Sequence, residues 1–232
     1  MVGSRPEPLE LRAIRQIVAE RHGQQPIDTA DGTRFIAYTD GSCLRNPDGP
    51  AGFAAVVRSE ASDRVWELAG HLPSSTNNRA EWAGLAAALL FVPSPGHLLA
   101  FSDSQYIVQV ALGQWKRKAN LDLWQTWDEL RRERAVDLEL RWVRGHAADP
   151  GNERADELAS LAAFNFDHAA WIRTRAISEP ARAVQRLQPL ARGDWEARFL
   201  RDVANRLQHG LRLSPRQQAV LDRIAQRGKD AE

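Results

Sequence analysis

The sequence predicts an α/β domain with a helical extension at each end, and three observations lead there. Two apolar runs of strand length each close on an aspartate, Phe35–Tyr38 before Asp40 and Leu98–Phe101 before Asp103. Two alanine- and leucine-rich stretches, 77–91 and about 152–166, have helical composition. Helical apolar spacing also recurs outside these limits, over 6–22 and from 194 onward. With 232 residues, 43% of them apolar, the chain has room for one domain of common size plus appendages.

At the front, Pro6 to His22 reads as one amphipathic helix with Leu9, Leu11, Ile14, Ile17 and Val18 on its apolar side. The linker GQQPIDTADGT follows, and the helix is expected to be a packing or short interaction element. The run 35–38 reads as a buried strand that delivers Asp40 to one edge of a sheet, and 98–101 does the same for Asp103. Between them, a helix over 77–91 is opened by Thr76, Asn77 or Asn78 as N-cap and carries Glu81 early. Asp149, Pro150 and Gly151 start a further helix with Asp156 near its beginning. Asp149 and Glu153 themselves read mainly as cap or surface residues. Trp82, Trp124, Trp127 and Trp142 fall on amphipathic or alternating patterns and are expected to pack inside. Beyond Asp194, the spacing of Trp195, Phe199, Leu200, Val203, Leu207 and Leu211 predicts a helix, and Ser214 with Pro215 opens another bearing Val220, Leu221 and Ile224. The two form a helical hairpin or bundle of about 40 residues, marginal on its own.

The acids carry the chemistry. Each of Asp40, Asp103, Glu81 and Asp156 stands where a carboxylate is costly unless something uses it. Brought together they repel and hold protons unless a divalent cation offsets them. Oxygen donors without cysteine select Mg²⁺ or Mn²⁺ over zinc. Asp40 or Asp103 alone reads as a turn or cap residue; the ordered set of four does not.

That order is YTDGSC, NNRAEWAGL, FSDSQYI and WVRGHAADPGNERADELA. It resembles the ribonuclease H type 1 family, from about residue 34 to 166. The resemblance implies a ribonuclease H-like fold, a five-stranded mixed sheet flanked by helices. It implies endonucleolytic hydrolysis of the RNA strand of RNA/DNA hybrids, giving 5′-phosphate and 3′-hydroxyl ends. Two Mg²⁺ ions per active site would serve, with Mn²⁺ as an alternative: Asp40 bridging both, Glu81 and Asp103 beside the attacking water, Asp156 on the other ion. His146, in a loop bounded by glycine and proline, would shuttle protons or help product leave without ligating metal. Asn46, Asn77, Asn78, Gln105 and the backbone around Cys43 and Leu44 match positions that contact the RNA strand; local capping of the helix by Asn77 and Asn78, and a turn at Asn46, remain as alternatives. Thr76 and Asn120 match a pocket for a DNA phosphate and Trp115 an aromatic against deoxyribose. Lys116, Arg117 and Lys118 suit a phosphate track or a solvated face. Only KRKAN separates Trp115 from Leu121, where many relatives insert a longer basic helix and loop, so this protrusion is reduced to a stub.

Charge is uneven along the chain: −1 over 1–33, −3 over 34–166 and +5 over 167–232. The tail is therefore expected to bind nucleic acid, a protein partner or a second subunit, or to act only as a solvated cap. The single cysteine, Cys43, leaves no internal disulfide. No apolar run approaches a membrane span, and the charged start MVGSRPEPLE argues against a leader peptide; a cytoplasmic enzyme is expected. Two other classes stay open. A DNA-processing nuclease of the same fold, integrase- or resolvase-like, is disfavoured by the GHxxxxxNExAD segment and the amides. A non-catalytic hybrid-binding module would normally lack one of the four acids.

Overall fold

The strand runs of the sequence assemble into one mixed sheet. A computed structural model describes residues 6–21, 33–62, 64–144, 149–208 and 211–229, and the chain divides into two units, Met1–Asp167 and His168–Glu232. The first unit opens with helix α1 (Leu9–Glu20) and continues β1 (Arg34–Cys43), β2 (Gly49–Ser59), β3 (Val65–Ser75), α2 (Asn77–Phe91), β4 (Gly96–Ser102), α3 (Gln105–Ala111), α4 (Leu121–Glu133), β5 (Val136–Trp142) and α5 (Pro150–Ala163). The strand order is β3-β2-β1-β4-β5. β1, β2 and β3 pair antiparallel, whereas β1–β4 and β4–β5 pair parallel. The five-stranded mixed sheet with flanking helices is the architecture the motifs implied.

Strand alternation sorts the two faces. Phe53, Ala55 and Val57 of β2 join Phe35, Leu98 and the apolar sides of α1 to α4 in the main core, with Trp82, Trp124 and Trp127 buried there. The intervening Ala54 and Val56 meet Ala155, Leu158 and Ala159 of α5 on the opposite face. Trp142 departs from expectation: it ends the edge strand β5, has no strand beyond it to cover it, and is exposed. On α1, Leu11 and Ile14 are buried, but Leu9 is exposed and Glu10 takes a buried place beside them. The linker 22–32 lies outside the described residues.

Among its described residues the second unit holds three helices, α6 (His168–Gln185), α7 (Gly193–Gln208) and α8 (Pro215–Lys229), with a short 3-10 turn at Gln188–Leu190. The hairpin expected from the apolar spacing is thus enlarged by α6, whose interior Pro180 interrupts the usual helical signal. Val184 of α6 closes a core with Leu200, Val203, Ala204 and Ile224, and Arg227 of α8 pairs with Glu196 of α7 at 2.8 Å. Trp195 and Leu211 stay outside this core; Trp195 is exposed and stacks on Phe199, with ring centroids 5.5 Å apart. Among the described residues, no helix is long and apolar enough to cross a membrane.

Candidate active site

The three acids that start the motifs meet at one end of β1 and β4. Asp40 lies within β1, which runs on to Cys43 because β2 continues to pair with it, Asp40 opposite Ala54. Its parallel pairing with β4 stops one residue earlier, at Thr39–Ser102. Asp40 is therefore the first β1 residue past that ladder, and Asp103 the first residue past β4. Glu81 arrives from the second turn of α2, which begins directly after β3 with Thr76 as N-cap, its Oγ1 accepting from the Arg79 N–H at 3.3 Å.

Two glycines allow the helix so near. A Cβ on Gly41 would lie 2.1 Å from the Glu81 nitrogen, and one on Gly84 2.8 Å from the Asp40 carbonyl oxygen. The DGS motif thus carries glycine because the α2 backbone rests directly on β1. Carboxylate oxygens of Asp40, Glu81 and Asp103 all lie within 4.8 Å of one another. Asp40 and Glu81 are buried and Asp103 half-buried.

Electrostatics agree with a cluster of mutually repelling carboxylates. Burial, then the charges of Asp103 and Asp156, holds the Asp40 carboxyl well above its ordinary range, against a hydrogen bond from the Gly41 N–H. Burial and the charges of Asp40 and Asp103 do the same to Glu81, again opposed by the Gly41 N–H. Glu81 Oε2 is buried without a hydrogen-bond partner, while Oε1 receives Asn77 Nδ2 at 3.5 Å. A buried carboxylate oxygen with no donor, in an all-oxygen set, fits a hard divalent cation. Asp156, half-buried in α5, stands outside the 4.8 Å set, though its charge reaches both Asp40 and Glu81.

The remaining expected residues fall as follows. Asn46, in the turn after β1, accepts from the Asn77 N–H at 3.2 Å, so the two amides and Glu81 form one hydrogen-bonded chain. Asn78 and Gln105 are exposed at the starts of α2 and α3. Cys43 is half-buried, with its Sγ near the carbonyl oxygens of Gly49 and Ser75. Asn120 precedes α4 in a left-handed conformation, φ 53°. Trp115, Lys116, Arg117 and Lys118 are exposed on the α3–α4 connection. Arg117 does not serve the track freely: it grips Asp128 at 2.5 and 2.9 Å and lies over the Trp124 ring. His146 lies outside the described residues. Asp149 is the N-cap of α5, accepting from the Gly151 and Asn152 N–H groups, and its other oxygen receives the Tyr38 hydroxyl at 3.1 Å.

Three residues near the site escaped sequence reasoning. Tyr38 ties β1 to the start of α5. Trp142 donates its indole N–H to the Asp103 carbonyl oxygen at 3.0 Å. Glu10 reaches the start of α2 from α1. Only Glu10 left a signal, an acid at i−4 from Ile14 on an otherwise apolar helix face.

A mixed sheet with a buried carboxylate cluster at the end of its central parallel pair defines a metal-dependent α/β enzyme. The RNase H family model matches residues 32–164, more than half of the chain, and the chain belongs to that family. It is similar to the Ribonuclease H of Acidovorax sp. (strain JS42), 41% identical over 140 residues that cover 55% of this chain and 93% of that protein. The Ribonuclease H of Paracidovorax citrulli (strain AAC00-1) is 38% identical over 140 residues, covering 55% and 92%. Among solved structures, RNase H1 from the halophilic archaeon Halobacterium salinarum NRC-1 matches at 30% identity over 57% of this chain and 98% of that one, with a TM-score of 0.48. Residues beyond 164 lie outside the family match.

Proposed function

We propose that this chain is an endoribonuclease that hydrolyses the RNA strand of RNA/DNA hybrids, leaving 5′-phosphate and 3′-hydroxyl ends. The observation that carries the reading is the meeting of Asp40, Glu81 and Asp103 oxygens within 4.8 Å in a member of the RNase H family. Mg²⁺ is the ion proposed, held by these three and by Asp156 in a pair of sites. When bound, such a pair activates water and neutralises phosphate charge in an in-line displacement.

The protein's own groups do the placing. Gly41 lets α2 close on β1, so that Glu81 reaches Asp40. Asn77 fixes Glu81 Oε1 and leaves Oε2 for the ion. Water adds to phosphorus and gives up a proton, the bond to the RNA 3′ oxygen breaks, and that oxygen takes up a proton to leave as a hydroxyl; carrying these protons is assigned to His146. Asn46, Asn77, Asn78, Gln105 and the Cys43 backbone face the RNA strand, where amides can both donate to and accept from a 2′-hydroxyl. Thr76 and Asn120 take a DNA phosphate and Trp115 a deoxyribose. Lys116 and Lys118 form the phosphate track, since the Arg117 fork is engaged by Asp128. The arginine-rich unit His168–Glu232 is assigned the phosphate binding that the short stub lacks, its charge supporting nucleic acid over a neutral partner.

The test is cleavage of end-labelled RNA presented as RNA/DNA hybrid, RNA duplex and single strand, with Mg²⁺, Mn²⁺ or chelator, and with Asp103→Asn as control. Metal-dependent cutting of the hybrid alone, lost in the variant, is the expected result. No cutting of any RNA would overturn the reading and turn attention to DNA junctions.

A further inference from the structure

We infer that Glu10, on a helix outside the matched RNase H stretch, is a positioning residue for the acid-bearing helix α2 and acts through Arg79. The inference rests on the reading of Asp40, Glu81 and Asp103 as a metal site.

Arg79 stands three residues after Thr76 and two before Glu81, within the first turn of α2. Its backbone N–H is fixed by the Thr76 cap. Its guanidinium is held by two carboxylates from two other helices. Nε and Nη2 donate to Glu10 Oε1 and Oε2 at 2.7 and 2.8 Å, and Nη1 and Nη2 donate to Asp122 Oδ1 and Oδ2 at 3.0 and 2.8 Å. Glu10 also accepts from Ser75 Oγ at 2.9 Å. Ser75 ends β3 and Thr76 caps α2, so the Glu10 carboxylate touches both sides of the turn that sets where α2 starts.

The charges explain why an acid is needed there. A helix start favours negative charge, yet the first turn of α2 contains no acid and does contain the Arg79 cation. Glu10 from α1 and Asp122 from α4 supply two negative charges at that point. Burial opposes ionisation of Asp122, but the hydrogen bonds and charge of Arg79 outweigh it and hold the carboxyl below its usual range. Glu10 is only 2% exposed, and a buried carboxylate is tolerated when it is paired. Leu11 and Ile14 are the buried apolar anchors of α1, while the Glu10 carboxylate is directed at Arg79 and Ser75 at the start of α2. Asn77, Asn78 and Glu81 all lie on α2, with Thr76 as its cap, so the same clamp sets the amides for the hybrid and Glu81 for the ion.

The full-length protein with Glu10→Gln tests this, with Glu10→Asp as the conservative partner that keeps the charge. Two readouts are taken well below the unfolding temperature: the Mg²⁺ concentration for half-maximal hybrid cleavage, and amide hydrogen exchange across α2 in the absence of substrate. Glu10→Gln is expected to raise the half-saturating Mg²⁺ about tenfold, as loss of a group that orients a metal ligand from behind does. It should also speed exchange in residues 79–84 while leaving β4 and β5 unchanged, and Glu10→Asp should recover part of both. Unchanged Mg²⁺ dependence and unchanged α2 exchange, with only a lower thermal midpoint, would show α1 to be a mere brace and overturn the inference. Should Glu10→Gln not fold, Arg79→Lys keeps the charge but loses the fork that grips Glu10 and Asp122; it must shift both readouts in the same direction, and no shift overturns the inference. If the intact protein cleaves no hybrid, the functional reading fails while hydrogen exchange still decides the positioning claim.

Discussion

Replacing Gly41 by alanine tests whether close approach of β1 and α2 is what makes the site. The added Cβ would lie 2.1 Å from the Glu81 nitrogen and 2.3 Å from the Ala80 carbonyl carbon, whereas ordinary van der Waals separation begins at 3.4 Å. Both obstacles are backbone, so no side chain can swing aside, and the helix must withdraw from the strand by about 1.3 Å, the difference between 3.4 and 2.1 Å. Overpacking of this kind costs about 1–3 kcal/mol, which in a unit of this size lowers the thermal midpoint by roughly 2–4 °C per kcal/mol. The functional loss should be larger. Glu81 retreats from Asp40 and Asp103, and a displacement on this scale is worth about a hundredfold in rate. Hybrid-cleavage kinetics across a Mg²⁺ titration, beside a thermal melt, would measure both. A variant with the wild-type kcat and Mg²⁺ dependence would refute the claim that this close approach sets the metal geometry.

Other predictions concern charge. Asp40 and Glu81 bind protons more tightly folded than unfolded, so without metal their contribution to stability is fully present below the ordinary carboxylate pKa and lost as pH rises through the raised folded values. Urea midpoints in chelator should therefore fall with rising pH over that window, and Mg²⁺ should restore them; a flat profile in chelator would contradict this. Asp40→Asn should abolish cleavage yet stabilise the metal-free protein at neutral pH, since two ionised carboxylates within 4.8 Å repel by about 3.5 kcal/mol or more at an effective dielectric of 20. A destabilised Asn variant would count against the cluster being repulsive. In the second unit, changing Arg182, Arg201, Arg216 and Arg223 to glutamine should flatten the salt dependence of hybrid binding by about 0.9 in log–log slope for each phosphate that is no longer neutralised. An unchanged slope removes the phosphate-binding role and favours a protein partner or a second subunit. Trp115→Ala should weaken hybrid binding by up to about 3 kcal/mol by removing the apolar face against a deoxyribose, and equal affinity would dismiss it from the interface.

Much of this was legible because its physical cause is local. An apolar run closing on an acid marks where a strand leaves its ladder, and Asp40 and Asp103 both stand one residue past the β1–β4 pairing. What the run does not encode is that β2 goes on pairing to Cys43, so Asp40 ends one ladder while sitting inside another. Asp149 was legible as a cap through residue type and spacing; for α2 Thr76, Asn77 and Asn78 were equal candidates by type, and the cap is Thr76. Trp142 misled because alternation says which face a residue takes but not that its strand lies at the sheet's edge. Helix α6 stayed hidden behind Pro180, and its partners Leu200 and Ile224 are supplied by residues far along the chain. Glu10 was visible as an acid out of place, but its partners Arg79 and Asp122 meet it only in three dimensions.

The indole of Trp142 makes the site optically readable. It is exposed, unlike Trp82, Trp124 and Trp127, and its N–H grips the carbonyl of Asp103, one of the acids assigned to the ion. Any event that tightens or twists Asp103 therefore perturbs a fluorophore one hydrogen bond away. The emission difference between the native protein and Trp142→Phe gives a titration of cation binding that needs no nucleic acid and no turnover, so occupancy of the carboxylates can be followed separately from catalysis.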